Sequence, residues 1–246
     1  MAGAPSYVLL NSPSYRRGQF RDLDKIRGDC GQDRDLKLAA TIPAVVADRN
    51  TLATGRVHQL ERGASLDQNV DRTARTGWWM AGVRQPGIVA EHSWRTALIA
   101  TIIAKLEGGD PARAASLAVR HDTGETHTGD VNHLGKKFTA GEADPRDITA
   151  NQVAGMPGIL AEALTELVAE YEAKDSPEAI CARDADKLEC MIQGIEYKAQ
   201  GYENAQRWID NSRGRIVTKA GNALADAVLK TGSLDWLRSA LGEKQG

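Results

Sequence analysis

The chain has too few cysteines for a disulfide framework and the wrong spacing for a structural zinc ribbon: Cys30, Cys181 and Cys190 form an odd, sparse set without a CxxC pair. A reducing cytoplasm is the expected compartment. Long apolar runs are missing as well. Residues 1–13 hold no basic n-region and only the short run Tyr7 to Leu10. No later segment approaches the roughly eighteen consecutive apolar residues of a membrane span, so neither a signal peptide nor a membrane segment is expected. Charge of one sign is not in excess either. With 31 basic against 33 acidic residues and a formal net charge of -2, there is no broad positive field for a nucleic acid polymer or an anionic membrane. The expected ligand is small. Strand-like alternation, internal repeats and low-complexity tracts are also absent.

What is present is enough apolar material for one main domain: 246 residues, 41% of them hydrophobic. Residues 1–66 differ in texture from the rest. From Arg16 to Lys37 the chain is dense in Arg, Asp, Gly and Lys with little apolar periodicity, which reads as a poorly structured N-terminal extension in which only Leu38 to Val46 has packing potential. His58 lies in this arm and is given no catalytic role. Residues 67–246 read as an all-α domain.

Pro86 and Gly87 break the chain before a segment in which Ile88, His92, Ile99, Ile103 and Leu106 recur at helical intervals, with Glu91 in the favourable first turn. Gly108 and Gly109 end that helix, and Asp110 with Pro111 opens the next as cap and first-turn proline. On this second helix Ala114, Leu117, Ala118 and His121 share a face. A polar loop follows from Gly124 to Gly141. Beyond Pro157 a broad apolar stripe runs through Ile159, Leu160, Ala163, Leu164, Leu167, Val168 and Tyr171. Ser176 and Pro177 start another helix, whose seam is Cys181, Ala185, Leu188, Ile192 and Ile195 and whose end is expected near Gly201. Asp186 lies beside Ala182 and Glu189 at the margin of that seam. Two more helices are expected at about 203–211 and 214–230, then a short one capped by Ser233 and carrying Trp236.

The polar residues that face inward on these helices are His92, His121, Asp122 and Asp186. Two imidazoles and two carboxylates suit one divalent transition metal, with positions left for water and substrate. Ligand type does not choose among Mn, Co, Fe, Ni and Zn.

The order His92, then His121 and Asp122, then Asp186, all on helices, resembles the HD-domain metal-dependent phosphohydrolase superfamily. The segments Arg75 to Trp78 (RTGW), Val89 to Ser93 (VAEHS), His121 to Glu125 (HDTGE) and Thr128 to Asp130 (TGD) are similar to the 5'-deoxynucleotidase branch and its eukaryotic HD-domain-containing relatives. The resemblance covers about residues 70–200. It implies an all-α HD-domain helical bundle that binds one divalent metal, removes phosphate from deoxynucleoside 5'-monophosphates and forms a homodimer. Glu125, one helical turn after Asp122, is assigned the proton work: ordering the attacking water or protonating the departing 5' oxygen. Arg75 is the candidate for clamping phosphate. Asp130 is placed near the sugar or the metal's water, or as a cap on the turn at Gly129. Trp78 is expected against the sugar, where it would disfavour a 2'-hydroxyl, or in the core together with Trp79. One departure stands out: the best-known bacterial pattern has Arg directly followed by Trp, whereas Thr76 and Gly77 intervene here. Lys136 and Lys137 either help to neutralise phosphate or are solvated. His127 and His133 would be the residues to enlarge the site toward a second metal, against the commoner surface role of loop histidines.

Two other readings remain at this point. The same metal site could cleave a deoxynucleoside triphosphate to triphosphate, or the domain could bind nucleotide without turning it over.

Overall fold

The computed structural model describes residues 70–139, 143–231 and 235–242. The extension expected over residues 1–66 lies outside the described residues, as does the cap expected at Ser233. Among the described residues the fold is all-α, with one isolated antiparallel bridge, Ala74 to Ile88.

That bridge fixes the entry to the domain. Arg75 N–H donates to the Gly87 carbonyl at 3.0 Å, so the chain doubles back around a 3-10 turn, Thr76–Ala81, which presents Arg75 and Trp78 beside the helices that follow. Helix α1 is Val89–Glu107, and the Glu91 carboxylate accepts from Ile88 N–H at 2.9 Å, so the first-turn acid closes the N-terminus. Gly108 ends it in the left-handed region at φ 82, where a side chain would be strained. Helix α2 is Pro111–Arg120; the Asp110 carboxylate accepts from Ala112 and Arg113 N–H, as its cap position requires. The expected loop then contains a single turn, α3 (Glu125–Thr128), and a 3-10 turn, Gly135–Lys137. A helix that the sequence did not announce, α4 (Pro145–Gln152), begins at the Asp144 cap. Helix α5 is Gly158–Ala173, and α6 is Pro177–Ala199, started by the Ser176 hydroxyl. A 3-10 turn, Glu203–Ala205, leads into α7 (Gln206–Arg213), followed by α8 (Lys219–Lys230) and α9 (Asp235–Ala240).

Helices α1, α2 and α6 pack around a shared core that includes Ile103, Leu117, Ala118, Ala185, Leu188 and Met191. The seam residues Ile192 and Ile195 pack against it from a partly buried position. A second cluster joins Trp78, Ala81 and Val83 to Tyr197 and Ala205. Gly194 makes this junction possible, because a Cβ there would fall 2.8 Å from Ile209 on α7 and 3.4 Å from the Trp78 ring.

Three expectations need correction. Leu106 is 65% exposed rather than on the buried face, because α1 turns its face at 94, 98, 102 and 106 outward. On α5 only Val168 and Tyr171 are buried, and Ile159 and Leu160 are exposed; the stripe is broader than the surface it meets. Residues 214–218 are not helical, since α8 starts only at Lys219 behind a Thr218 cap.

Candidate metal centre and active site

His92 stands in the first turn of α1, His121 and Asp122 follow the last turn of α2, and Asp186 is midway along α6. Their donor atoms converge. His92 Nε2 lies 3.3 Å from His121 Nε2, 3.4 Å from Asp186 Oδ1 and 3.5 Å from Asp122 Oδ2. His121 Nε2 lies 3.1 Å from Asp122 Oδ2 and 4.0 Å from Asp186 Oδ1. His92, His121 and Asp186 form a trio with every pair of donor atoms within 4.8 Å; Asp122 joins through the two imidazoles.

A cation about 2.1 Å from each donor would separate neighbouring donors by roughly 3.0 Å at right angles and roughly 3.4 Å at tetrahedral angles. The observed separations suit such an ion. Tautomers point the same way. His121 Nδ1 donates to the Ala118 carbonyl at 2.6 Å and His92 Nδ1 donates to the Glu189 carboxylate. Each imidazole therefore keeps its proton on Nδ1, and two Nε2 lone pairs face each other with two carboxylates around them. Lone pairs so gathered repel unless a positive charge sits among them: in the metal-free fold a proton serves, the neighbouring carboxylates raising the His92 pKa against the cost of burial, and the same donor set fits a divalent metal in its place.

The carboxylates are held at their outer sides. Arg75 Nη1 donates to Asp122 Oδ2 at 2.9 Å, and Lys187 Nζ donates to Asp186 Oδ2 at 2.6 Å. Burial works against ionising Asp122, but His121, Arg75 and His92 outweigh it and hold its carboxyl below the ordinary range. Asp186 is likewise pushed down, by Lys187 and both histidines against the cost of burial.

Glu125 has the opposite surroundings. Its Oε2 is buried without a hydrogen-bond partner, and burial, then Asp122 and Asp130, push its pKa up to about 9 against the attraction of Arg75 and Lys136. In the metal-free fold this keeps it a neutral acid at neutral pH. Asp130 is also raised, chiefly by burial, and its backbone carbonyl accepts from the Thr76 hydroxyl at 2.6 Å.

Beside the centre is an open cleft of about 240 Å³, whose wall includes Arg75, Trp78, Asp130, Lys136, Lys187 and Trp208. The structure thus brings Arg75, Trp78, Asp130 and Lys136 to a cleft beside the four candidate ligands, with Glu125 near Asp122, and leaves His127 and Lys137 apart. Trp78 is 3% exposed and serves both as cleft wall and as core, edge-to-face with Tyr197 and tilted against Trp208, whereas Trp79 is 54% exposed and is not core. His133 and Lys136 are exposed at the cleft, and His127 and Lys137 are exposed elsewhere. Neither His127 nor His133 belongs to the ligand cluster.

Glu189, Arg95, Tyr171 and Lys187 were not anticipated. Asp186 and Glu189 are buried, not marginal, and Tyr171 packs its ring 5.3 Å from that of His121. A signal was available: His92 and Arg95 on α1 repeat at the same three-residue spacing as Asp186 and Glu189 on α6, which pairs two bases with two acids across one helix contact.

A family model described as HD domain matches residues 68–227. The 5'-deoxynucleotidase hdd1 of Schizosaccharomyces pombe is 28% identical over 180 residues, covering 70% of this chain and 84% of that protein. The 5'-deoxynucleotidase HDDC2 of Dictyostelium discoideum is 30% identical over 159 residues, covering 58% of this chain and 82% of that protein. Among solved structures, a conserved hypothetical protein from Pyrococcus furiosus aligns with a TM-score of 0.57 at 26% identity, covering 68% of this chain and 96% of that one. The family match begins just before the Arg75 turn, takes in all four candidate ligands and spans well over half of the sequence; the chain belongs to the HD-domain phosphohydrolase superfamily.

Proposed function

We propose that this chain is a divalent-metal-dependent phosphohydrolase that converts deoxynucleoside 5'-monophosphates to deoxynucleosides and phosphate. His92, His121, Asp122 and Asp186 are its metal ligands. The observation that carries the reading is the convergence of two imidazole Nε2 atoms and two carboxylates beside a cleft walled in part by Arg75, with the unpartnered buried carboxyl of Glu125 in the electrostatic reach of Asp122. The activity named for the fission yeast and Dictyostelium relatives supports the choice of substrate.

When bound, a divalent ion supplies positive charge for the phosphoryl oxygens and an acidified water near neutral pH. The protein's own groups do the rest. Arg75 spends one N–H on Asp122 and turns its remaining donors toward phosphate in the cleft. Lys136 adds charge at the rim. Glu125 delivers its proton to the 5' oxygen as the P–O bond breaks, which matters because an alkoxide leaves poorly without one. Asp130 orients the sugar end, and Trp78 with Trp208 forms the apolar wall that faces the deoxyribose.

Replacing Asp122 by Ala is expected to abolish metal retention, while Glu125→Ala keeps the metal and lowers kcat by about 100-fold or more. Metal analysis and phosphate release on the two purified variants check this. Normal hydrolysis by both would overturn the assignment of roles.

A homodimer is part of the same proposal. Trp94, Leu98, Ile102 and Leu106 are 65%, 48%, 50% and 65% exposed and form a ridge with four-residue spacing along α1. Ridges of this spacing interdigitate with copies of themselves. The free thiols of Cys181 and Cys190 accord with a reducing, cytoplasmic setting, and no helix among the described residues is long and apolar enough to cross a membrane.

A further inference from the structure

The two candidate histidine ligands are steered by different means. His121 is held by a backbone carbonyl, which no substitution removes, whereas His92 is held by the side chain of Glu189. Glu189 is 3% exposed, and both of its oxygens are engaged. Oε2 accepts from His92 Nδ1, and Oε1 accepts from Arg95 Nε at 3.0 Å and Arg95 Nη2 at 2.7 Å. Arg95 is held in turn by Glu196, at 2.8 and 3.1 Å from Nη1, and by Gln193, at 3.0 Å from Nη2. A chain of contacts therefore runs from the surface of α6 through Arg95 and Glu189 to the imidazole at the centre.

We propose that Glu189, locked by Arg95, is the positioning residue for His92: it fixes the Nδ1–H tautomer and the ring orientation that leave the Nε2 lone pair for the metal. The inference rests on the metal reading above.

Its logic is donor and acceptor count. Both neighbours of Glu189 donate, so the site demands two acceptor atoms on one side chain, which a carboxylate has and an amide lacks. A glutamine there is nearly isosteric but must fail one neighbour. With its oxygen toward Arg95, its NH2 faces His92 Nδ1 and drives the ring proton to Nε2, where the lone pair is needed. With its oxygen toward His92, its NH2 opposes the guanidinium. The arginine's charge favours the first arrangement. Removing Arg95 as well frees the amide oxygen to serve His92, so the second substitution should repair the first.

The test is Co(II) and Zn(II) affinity by chelator competition for the wild type, Glu189→Gln and the double variant Glu189→Gln with Arg95→Met, with the melting temperature of each metal-free protein measured alongside. Glu189→Gln is expected to weaken metal binding by about 10- to 100-fold, a span typical of residues that orient a ligand. The double variant is expected to regain most of that loss, which a merely structural role for Glu189 would not produce. An affinity unchanged by Glu189→Gln, or a double variant no tighter than the single one, overturns the proposal. NMR of Zn(II)-loaded, ¹⁵N-labelled wild type gives a check independent of whether the variants fold. The expected signal is an exchange-protected, low-field proton on His92 Nδ1, and a His92 proton found on Nε2 overturns the proposal. A wild type that takes up no divalent metal would instead bring down the functional reading itself, and this inference with it.

Discussion

At the scale of single residues, Glu125 shows how the proposed catalytic acid weakens the fold that holds it. In the unfolded chain its carboxyl titrates near the ordinary 4.5, while in the metal-free fold burial and the neighbouring carboxylates raise it to about 9. Between those values the folded state keeps a proton that the unfolded chain has released, so stability falls as pH climbs through the window. Glu125→Gln carries no charge to suppress. In the presence of a chelator its melting temperature should exceed that of the wild type by a margin that opens from about pH 5 and levels off near about pH 9; a margin independent of pH would contradict the buried-acid account. The candidate ligands were legible because helical periodicity tells which way a histidine faces, and it turns His92 and His121 toward each other, as the 3.3 Å between their Nε2 atoms shows. Glu189 was not, since a lone glutamate on a helix reads as solvated until its partners on α1 are known. Trp78 was legible only as a pair of options: the fold buries it in the core, and its place in the cleft wall leaves the sugar contact to the proposal.

At the scale of elements, boundaries were readable where the cap is local. Asp110 with Pro111 and Ser176 with Pro177 each sit next to the helix they start, and both starts were found. The start of α8 was misplaced although Thr218 caps it locally, because no proline follows that cap and the segment before it is held by a remote carboxylate. Asp184, 2% exposed on α6, accepts from Val217 N–H at 3.0 Å, from Thr218 N–H at 2.7 Å and from the Thr218 hydroxyl at 2.6 Å. Thr218 in turn caps Gly221 N–H, and a Cβ on Gly221 would fall 2.8 Å from Asp184 Oδ2. Thr218 offers the cap, but nothing in residues 214–217 reports the carboxylate that holds the segment out of the helix. Asp184→Ala leaves several donors at the α8 N-terminus without their charged acceptor, and should cost roughly 3 kcal/mol of stability in urea unfolding. Metal binding should survive, because α8 provides no ligand. A loss well under 1 kcal/mol would show that the buried carboxylate is not what anchors α8 to α6. The unannounced α4 has a different explanation: its eight residues carry only two buried positions, Thr149 and Gln152, both polar, so no apolar period marks it.

At the scale of the whole molecule, three helices distant in sequence must pack before the centre exists, and the same α1 that donates His92 inward turns an apolar ridge outward. Trp94→Glu is expected to shift the protein from dimer to monomer in sedimentation analysis without lowering metal content, since residue 94 faces away from the ligands; an unchanged dimer would move the interface elsewhere. The most direct test of the central claim is product analysis with the full chain loaded with Mn(II) or Co(II) and offered deoxynucleoside and ribonucleoside mono- and triphosphates. The account predicts orthophosphate from the deoxynucleoside 5'-monophosphates, with the ribonucleotides hydrolysed more slowly. Absence of turnover by fully loaded protein, or tripolyphosphate released from a deoxynucleoside triphosphate while the monophosphates stay intact, would contradict it.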